Sequence, residues 1–176
     1  LESYSSAITV VEIDVSMDES VKAGFSTILN EIEKVDVLIN NAGIMYTGIT
    51  EGFTLDQAHE QMNTNYFGAI RATQEVLPSM RKSGDGLIIN VSSIAGRIAI
   101  PYFGTYCATK FALEAYSQSL RYEVSPYGVD VVLVEPGPFS TGLFGAIKAP
   151  ERTEIIDGYG ELKNVPRALF QGFGEM

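Results

Sequence analysis

Nearly continuous apolar runs alternate along this chain with stretches in which apolar residues recur every three or four positions. Three of the runs, at residues 35–40, 87–91 and 129–135, are typical of strands buried on both faces of a parallel sheet. A shorter run at residues 9–13, which ends at Asp14, predicts a further strand. Because strands that alternate with helices indicate βαβ units, the pattern predicts an α/β fold built on a parallel sheet.

Helices are predicted between these runs from capping signals and apolar stripes. A hydroxyl residue at a helix start, followed three positions later by Glu or Gln, forms a capping box. Two such pairs occur in the chain: Ser16 with Glu19, and Thr54 with Gln57. They predict helices over residues 16–33 and 54–82, and a third helix is expected over residues 102–124. Beyond residue 142 the pattern loosens, and we predict two short helices there.

Composition narrows the class of protein. The chain has 176 residues, of which 45% are hydrophobic, so we expect one globular domain over residues 1–176. A net charge of −10 argues against nucleic acid and anionic membrane surfaces as partners. Cys107 is the single cysteine, which excludes an internal disulfide and suits a cytoplasmic location. No apolar run approaches the ~20 residues of a membrane helix, so no membrane span is expected.

Tyr106 and Lys110 carry the candidate chemistry. They are four residues apart, and on a helix they share one face, one turn apart. An unperturbed tyrosine titrates near pH ~10, and a nearby ammonium favours its phenolate, so the pair is a candidate general acid and base. Ser93 lies thirteen residues earlier, just after a predicted strand that can place its hydroxyl near Tyr106. The spacing alone is more typical of an amphipathic helix with a solvated lysine, and only its context favours a catalytic pair.

Polar or turn residues follow four of the predicted strands: Asp14, Asn41, Ser93 and Pro136. Dinucleotide sites in open parallel sheets lie outside the carboxyl ends of the strands, so the pattern predicts such a site at this edge. Other interpretations stay open, because Asp14 can flank a helix and Asn40 with Asn41 can close a turn. Asn65 lies inside a predicted helix, where the pattern alone indicates a solvent-facing polar residue.

Four short motifs occur in one order: Asn40-Asn41-Ala42-Gly43, Ser92-Ser93-Ile94-Ala95-Gly96, Tyr106-Cys107-Ala108-Thr109-Lys110 and Pro136-Gly137. With them the chain resembles the short-chain dehydrogenase/reductase family, in its common, non-extended branch, from about residue 10 to residue 141. The residues after Lys110, Phe111-Ala112-Leu113-Glu114, are similar to the 17-beta-hydroxysteroid and retinol dehydrogenase type. The resemblance implies a Rossmann-like, doubly wound parallel sheet in three αβα layers.

The resemblance also implies roles for individual residues. The catalytic residues would be Asn65, Ser93, Tyr106 and Lys110. The residues that bind the cofactor would be Asp14, Val15, Asn41, Ala42, Gly43, Tyr106, Lys110, Pro136, Gly137, Phe139 and Thr141. Phe139 fits a core or lid position equally well. No metal is expected, since one His and one Cys cannot form a ligand cluster.

In the mechanism that the resemblance implies, a reduced nicotinamide delivers hydride to a carbonyl carbon. Ser93 polarises the carbonyl oxygen, Tyr106 donates the proton, and Lys110 lowers the pKa of Tyr106 and holds the nicotinamide ribose. Asn65 positions a water that links Lys110 to solvent. The cofactor would be NADP or NAD, NADP being slightly favoured, and the substrate a small lipophilic carbonyl or alcohol.

The chain departs from the family pattern in lacking a Gly-rich dinucleotide loop. The first βαβ unit and the last strand are therefore expected to be absent from it, which puts cofactor binding by this chain alone in doubt. Residues 142–176 are expected to form a substrate lid. A homodimer or homotetramer is expected through the two long helices, although their apolar positions fit a core equally well.

Other functions remain open. The extended branch of the family, with nucleotide-sugar epimerases and dehydratases, also uses a Tyr-x-x-x-Lys pair. A non-catalytic relative, either an inactive fragment or a redox-sensing binding protein, is a further alternative. His59 is expected on a helix surface and Cys107 as a small packed residue. A serine hydrolase is disfavoured because no Gly-x-Ser-x-Gly elbow occurs.

Overall fold

A parallel sheet of three strands lies at the centre of the computed structural model, which describes residues 8–137 and 146–166. The strands are β1 (Val37–Asn40), β2 (Gly86–Val91) and β3 (Val129–Val134), and β2 pairs with both of the others. Asn40 is opposite Asn90, and Val91 is opposite Val134, so the carboxyl ends of the strands meet at one edge. The parallel α/β arrangement predicted from the apolar runs is confirmed.

The helices of the described residues are α1 (Asp18–Glu31), α2 (Leu55–Met62), α3 (Gly68–Ser83), α4 (Gly104–Val124) and α5 (Thr153–Asp157). A π-helical turn, Asn63–Phe67, joins α2 to α3, so the long helix predicted over residues 54–82 is continuous but contains one wider turn with an extra residue. The two short helices predicted after residue 142 correspond to α5 and the 3₁₀ turn Gly160–Asn164.

One buried apolar cluster joins α1, α3 and α4 to the same face of the sheet. Val21 of α1, Val76 of α3 and Leu120 of α4 meet Ile88 of β2, which is fully buried. On the opposite face of the sheet Ile39 is 59% exposed within the described part of the chain. Successive side chains of a strand point to opposite faces of the sheet. The side chains on one face therefore pack against these three helices, and those on the other face do not.

The prediction of a strand at residues 9–13 was wrong. Within residues 8–137 and 146–166 no segment forms a ladder with it, and the backbone of a strand requires a hydrogen-bonded neighbour. Its apolar character has another use, because the Ile13 side chain packs against the core and occupies the space beside Gly24 on α1. Apolar pattern alone could not distinguish this packed segment from a paired strand.

The two capping boxes had opposite outcomes. The Thr54 hydroxyl accepts from the Gln57 backbone nitrogen, and Gln57 Oε1 accepts from the Thr54 backbone nitrogen, each at 3.1 Å. The box at Ser16 was wrong, since α1 begins after Met17 without a side-chain cap. Ser16 instead donates from its hydroxyl (2.7 Å) and its backbone nitrogen (2.9 Å) to the Asp14 carboxylate. This local turn competes with capping for the same serine.

Candidate active site

The loops that follow the three strands lie side by side at the carboxyl edge of the sheet. The Ser92 backbone nitrogen donates to the Val134 carbonyl oxygen at 2.8 Å, which extends the pairing of β2 and β3. Two residues on, Ile94 donates to the Pro136 carbonyl oxygen at 3.1 Å. These bonds fix the backbone on both sides of Ser93, so its hydroxyl is held by the sheet and not by a free loop.

Ser93, Tyr106 and Lys110 are brought together, as the sequence predicted. The Ser93 hydroxyl caps the 3₁₀ turn Ile94–Gly96 by accepting from the Ala95 nitrogen at 3.1 Å, and it lies close enough to Tyr106 to affect the pKa of that phenol. Lys110 lies one turn along α4 and donates from Nζ to the Val91 carbonyl oxygen at 2.8 Å. Its Nζ is 5.7 Å from the centroid of the Tyr106 ring.

Burial shifts the proton equilibria of both helix residues. Lys110 is 6% exposed, and loss of hydration lowers its pKa to about 8, although the nearby Glu114 carboxylate opposes this change. Burial raises the pKa of Tyr106, while the neighbouring Ser93 hydroxyl partly offsets the increase and Cys107 adds to it. The expectation that Lys110 lowers the pKa of Tyr106 stays a prediction. A tyrosine of raised pKa keeps its proton at neutral pH and can donate it.

Asn65 lies at the centre of the π-helical turn. The helical pattern alone had indicated a solvent-facing residue, but Asn65 is buried. It is 2% exposed, and its Oδ1 accepts from the Ile44 nitrogen at 2.8 Å. Its Nδ2 donates to the Ile44 carbonyl oxygen (2.9 Å) and to Thr109 Oγ1 (3.1 Å). A Cβ on Gly43 would lie 3.3 Å from Asn65 Oδ1, a tight contact that a glycine avoids. Asn65 therefore joins the loop after β1 to the helix of Lys110.

Several candidate cofactor residues line a cavity of about 140 Å³ at the end of β1. Val15, Asn41 and Ala42 contribute to its wall, which is mostly apolar. Asp14 is adjacent in sequence but exposed, and the hydrogen bonds from Ser16 keep the pKa of its carboxyl below the usual value. Their placement is compatible with the nucleoside contacts that the sequence motif implies, and those contacts remain predictions.

The remaining candidates lie after β3. Pro136 and Gly137 follow the strand at the same edge as Ser93, with the Pro136 carbonyl bonded to Ile94. Phe139 and Thr141 lie outside the residues that the structure describes. The predicted binding of the cofactor by these residues therefore stays a prediction.

Sequence reasoning missed a buried polar chain beneath the site. Asn40 Nδ2 donates to Asn90 Oδ1 at 2.8 Å, and Asn90 Nδ2 donates to Ser117 Oγ at 2.8 Å. Ser117 in turn donates to the Leu113 carbonyl oxygen at 2.6 Å. The signal was available, because Asn90 interrupts an apolar strand, and a polar residue there needs partners. This chain joins β1, β2 and α4, and Asn40 therefore does more than close a turn.

Other candidate chemistry has ordinary surroundings. His59 is exposed on α2, and buried Cys107 accepts from the Ile100 nitrogen at 3.5 Å. Over residues 8–137 and 146–166, no group of three or more His, Cys, Asp or Glu side chains is arranged to hold a metal ion. In the same described ranges, no helix combines the length and apolar character needed to cross a membrane.

Comparison with known proteins adds a family assignment. The family model described as short chain dehydrogenase matches residues 1–152. A 3-ketodihydrosphingosine reductase of Bacteroides thetaiotaomicron is 46% identical over 154 residues, which cover 88% of this chain and 57% of that protein. The human retinol dehydrogenase 8 is 38% identical over 148 residues, which cover 84% of this chain and 47% of that protein. The chain thus spans about half the length of these curated relatives.

Solved structures give the same result for the fold. A short-chain dehydrogenase from Streptomyces avermitilis has a TM-score of 0.86 and 35% identity, over 97% of this chain and 63% of that one. A gluconate 5-dehydrogenase from Burkholderia cenocepacia, solved with NADP and tartrate, has a TM-score of 0.72 and 30% identity, over 76% of this chain and 52% of that one. A short-chain dehydrogenase/reductase from Burkholderia phymatum, solved with NAD, has a TM-score of 0.78 and 26% identity, over 82% of this chain and 53% of that one. The Rossmann-like fold class predicted from sequence is confirmed.

Proposed function

Since the chain belongs to the short-chain dehydrogenase family, we propose that it carries the catalytic centre of an oxidoreductase that interconverts a carbonyl and an alcohol with a nicotinamide cofactor. The observation that supports this most is the convergence of Ser93, Tyr106 and Lys110 at one edge of the sheet. A serine hydroxyl beside a protonated phenol places two donors where a developing alkoxide would need them.

The residues present fit a nicotinamide dinucleotide by their donor chemistry. The Lys110 ammonium has three protons, and among the described residues the Val91 carbonyl accepts one, which leaves two for hydroxyl oxygens such as those of a ribose. Val15, Asn41 and Ala42 would hold the nucleoside in their cavity. When bound, the cofactor supplies or accepts the hydride. We propose NADP or NAD, since relatives of this fold have been solved with each.

The protein's own groups handle the proton and the geometry. In the direction of reduction, Ser93 donates a hydrogen bond to the substrate oxygen and Tyr106 transfers its phenolic proton to that oxygen as the carbonyl becomes an alcohol. In the reverse direction the Tyr106 phenolate accepts the proton. Asn65 would hold a water beside Lys110, a role that its buried place next to Thr109 supports.

A lipophilic substrate is the second part of the proposal. Two relatives are named for lipids, 3-ketodihydrosphingosine and retinol, and they are 46% and 38% identical to this chain. Residues 142–176 would form the lid over it. The described part of this segment is anchored, because Gln57 donates to the Ala149 carbonyl oxygen at 3.0 Å and Lys148 pairs with Glu60 at 3.0 Å. A cytoplasmic homodimer or homotetramer remains a prediction.

Turnover of NADPH and NADH with long-chain ketones and aldehydes tests the proposal, with Tyr106→Phe as the diagnostic variant. The phenylalanine keeps the ring and removes the transferable proton, so we expect the rate of reduction to fall by about 10³-fold or more. Tyr122→Phe, at an exposed position on the same helix, is the matched control and should retain full turnover. Wild-type-like turnover by Tyr106→Phe would exclude Tyr106 as the proton donor.

A further inference from the structure

Glu114 lies on the same face of α4 as the two catalytic candidates. Tyr106, Lys110 and Glu114 follow one another at intervals of four residues, and all three are buried. Glu114 is 4% exposed, and among residues 8–137 and 146–166 neither of its carboxylate oxygens has a hydrogen-bond partner. A buried carboxylate without donors is costly, so a charge nearby must compensate it.

Two cations interact electrostatically with this carboxylate: Arg97 and Lys110. Arg97 Nε is 3.6 Å from Glu114 Oε2, too far for a hydrogen bond. The Arg97 guanidinium donates instead to Glu135 Oε1, from Nε at 2.9 Å and from Nη2 at 2.8 Å, and its side chain is 51% exposed. Lys110, one helical turn before Glu114, is the buried cation. Attraction between buried charges acts through a low dielectric without direct contact.

Tight packing holds Glu114 against the turn that follows Ser93. A Cβ on Gly96 would lie 2.9 Å from Glu114 Cγ and 2.8 Å from Ser92 Oγ. It would also lie 3.2 Å from the Lys110 carbonyl oxygen. Only a glycine lets this turn approach α4 so closely, and the carboxylate is therefore built into the support of both Ser93 and Lys110.

We propose that Glu114 is a positioning residue of the catalytic centre: its buried negative charge holds the Lys110 ammonium charged and seated on the Val91 carbonyl, and Arg97 opposes this effect. The inference rests on the proposed function for its consequence in turnover. The charge relationship itself is a property of the folded chain and can be measured without any substrate.

The electrostatic surroundings agree with this arrangement. Burial lowers the pKa of Lys110 to about 8, and Glu114 raises it. The other titratable or charged groups around the pair come from α4, from the turn after Ser93 and from the segment after β3: Tyr106, Cys107, Arg97 and Glu135. Tyr66 of the π-helical turn packs edge-on against Tyr116, which is about 200° around the helix from Glu114. Without Glu114, the pKa of Lys110 should fall toward neutral pH.

The Lys110 pKa can be followed directly by NMR titration of protein labelled with ¹³C-lysine. The chain contains six lysines, at positions 22, 34, 82, 110, 148 and 163, and a Lys110→Arg spectrum assigns the signal. In Glu114→Gln we expect the Lys110 midpoint to fall by about half a pH unit or more. In Glu114→Asp, which keeps the negative charge, the Lys110 midpoint should stay close to that of the wild type. Arg97→Gln removes a positive charge and should shift the midpoint upward.

The controls separate a charge effect from a structural one. A lowered melting temperature with an unchanged or raised Lys110 midpoint in Glu114→Gln would overturn the proposal. If Glu114→Gln does not fold, an unchanged or lowered midpoint in the half-exposed Arg97→Gln variant would overturn it instead. In an active enzyme, the alkaline limb of kcat/KM should shift to lower pH with the Lys110 midpoint. Absence of turnover in the wild type would contradict the proposed function, while the midpoint would still decide the role of Glu114.

Discussion

The Asn65 side chain donates a hydrogen bond of 3.1 Å to Thr109 Oγ1 and so joins the π-helical turn to the residue that precedes Lys110. Thr109 in turn donates to the Tyr106 carbonyl oxygen at 2.8 Å. The extra residue of the π turn changes the direction of the side chains on α2 relative to α3. It is this local irregularity that brings a helical asparagine into the centre of the site.

Replacement of Asn65 by alanine should destabilise the fold by about 2–3 kcal/mol. The substitution removes the partner of the Ile44 nitrogen and the shorter of two bonds to the Ile44 carbonyl oxygen, which keeps the 3.4 Å bond from Gln61. It also removes the bond from Asn65 to the buried Thr109 hydroxyl, and the loss of buried hydrogen bonds is costly. Urea unfolding monitored by circular dichroism gives the free energy of unfolding. Asn30→Ala, at an exposed position on α1, should change it by less than about 0.5 kcal/mol. Equal losses in both variants would contradict the assigned role of the Asn65 contacts.

Lys110 should make stability increase with pH in the mildly alkaline range. Its pKa is lowered from 10.5 to about 8 in the folded state, so between these values the unfolded chain binds the extra proton and folding gains as pH rises. From pH 7.5 to 9.5 this amounts to about 2 kcal/mol. The measurement is the free energy of unfolding of the wild type minus that of Lys110→Met at each pH, which cancels groups titrating in both proteins. A difference that stays constant over this range would contradict the lowered pKa.

Gly84 and Gly128 form a matched pair of sites at which the loss of stability on adding a side chain can be compared. Both have left-handed backbone conformations, with φ of 70° and 71°. A Cβ on Gly84 has no described atom within 4 Å, whereas a Cβ on Gly128 would overlap the Gly84 carbonyl group. Gly84→Ala should therefore cost about 1 kcal/mol from backbone strain alone. Gly128→Ala should cost roughly 3 kcal/mol or more, because backbone must also move. Thermal melting compares them, and equal shifts would disprove the steric argument.

The buried chain through Asn90 should behave as one unit. Asn90→Ala removes the acceptor of the shortest Asn40 bond and the donor to Ser117 Oγ, and we expect a loss of about 2 kcal/mol. Ser117→Ala should cost less, since it removes one acceptor and one donor at the end of the chain. A double-mutant cycle should give a coupling energy of at least about 0.5 kcal/mol. Strict additivity of the two losses would show that the residues act independently.

Local pattern was sufficient for features that depend on neighbours along the chain. The apolar runs at residues 87–91 and 129–135 correspond to β2 and β3, and the Thr54 box caps α2. The spacing of Tyr106 and Lys110 places them on one buried helix face. These outcomes follow from the two-residue and 3.6-residue periods, which need no knowledge of distant segments.

Features that depend on distant partners could be decided only by the tertiary structure. The segment at residues 9–13 is apolar enough for a strand, but pairing and not composition makes a strand. Asn65 is buried because Ile44 and Thr109 satisfy its amide, and the sequence separates it from both by more than 20 residues. The pKa values of Tyr106 and Lys110 depend on desolvation by the whole packed site. Burial is a property of the assembled chain, and no local window contains it.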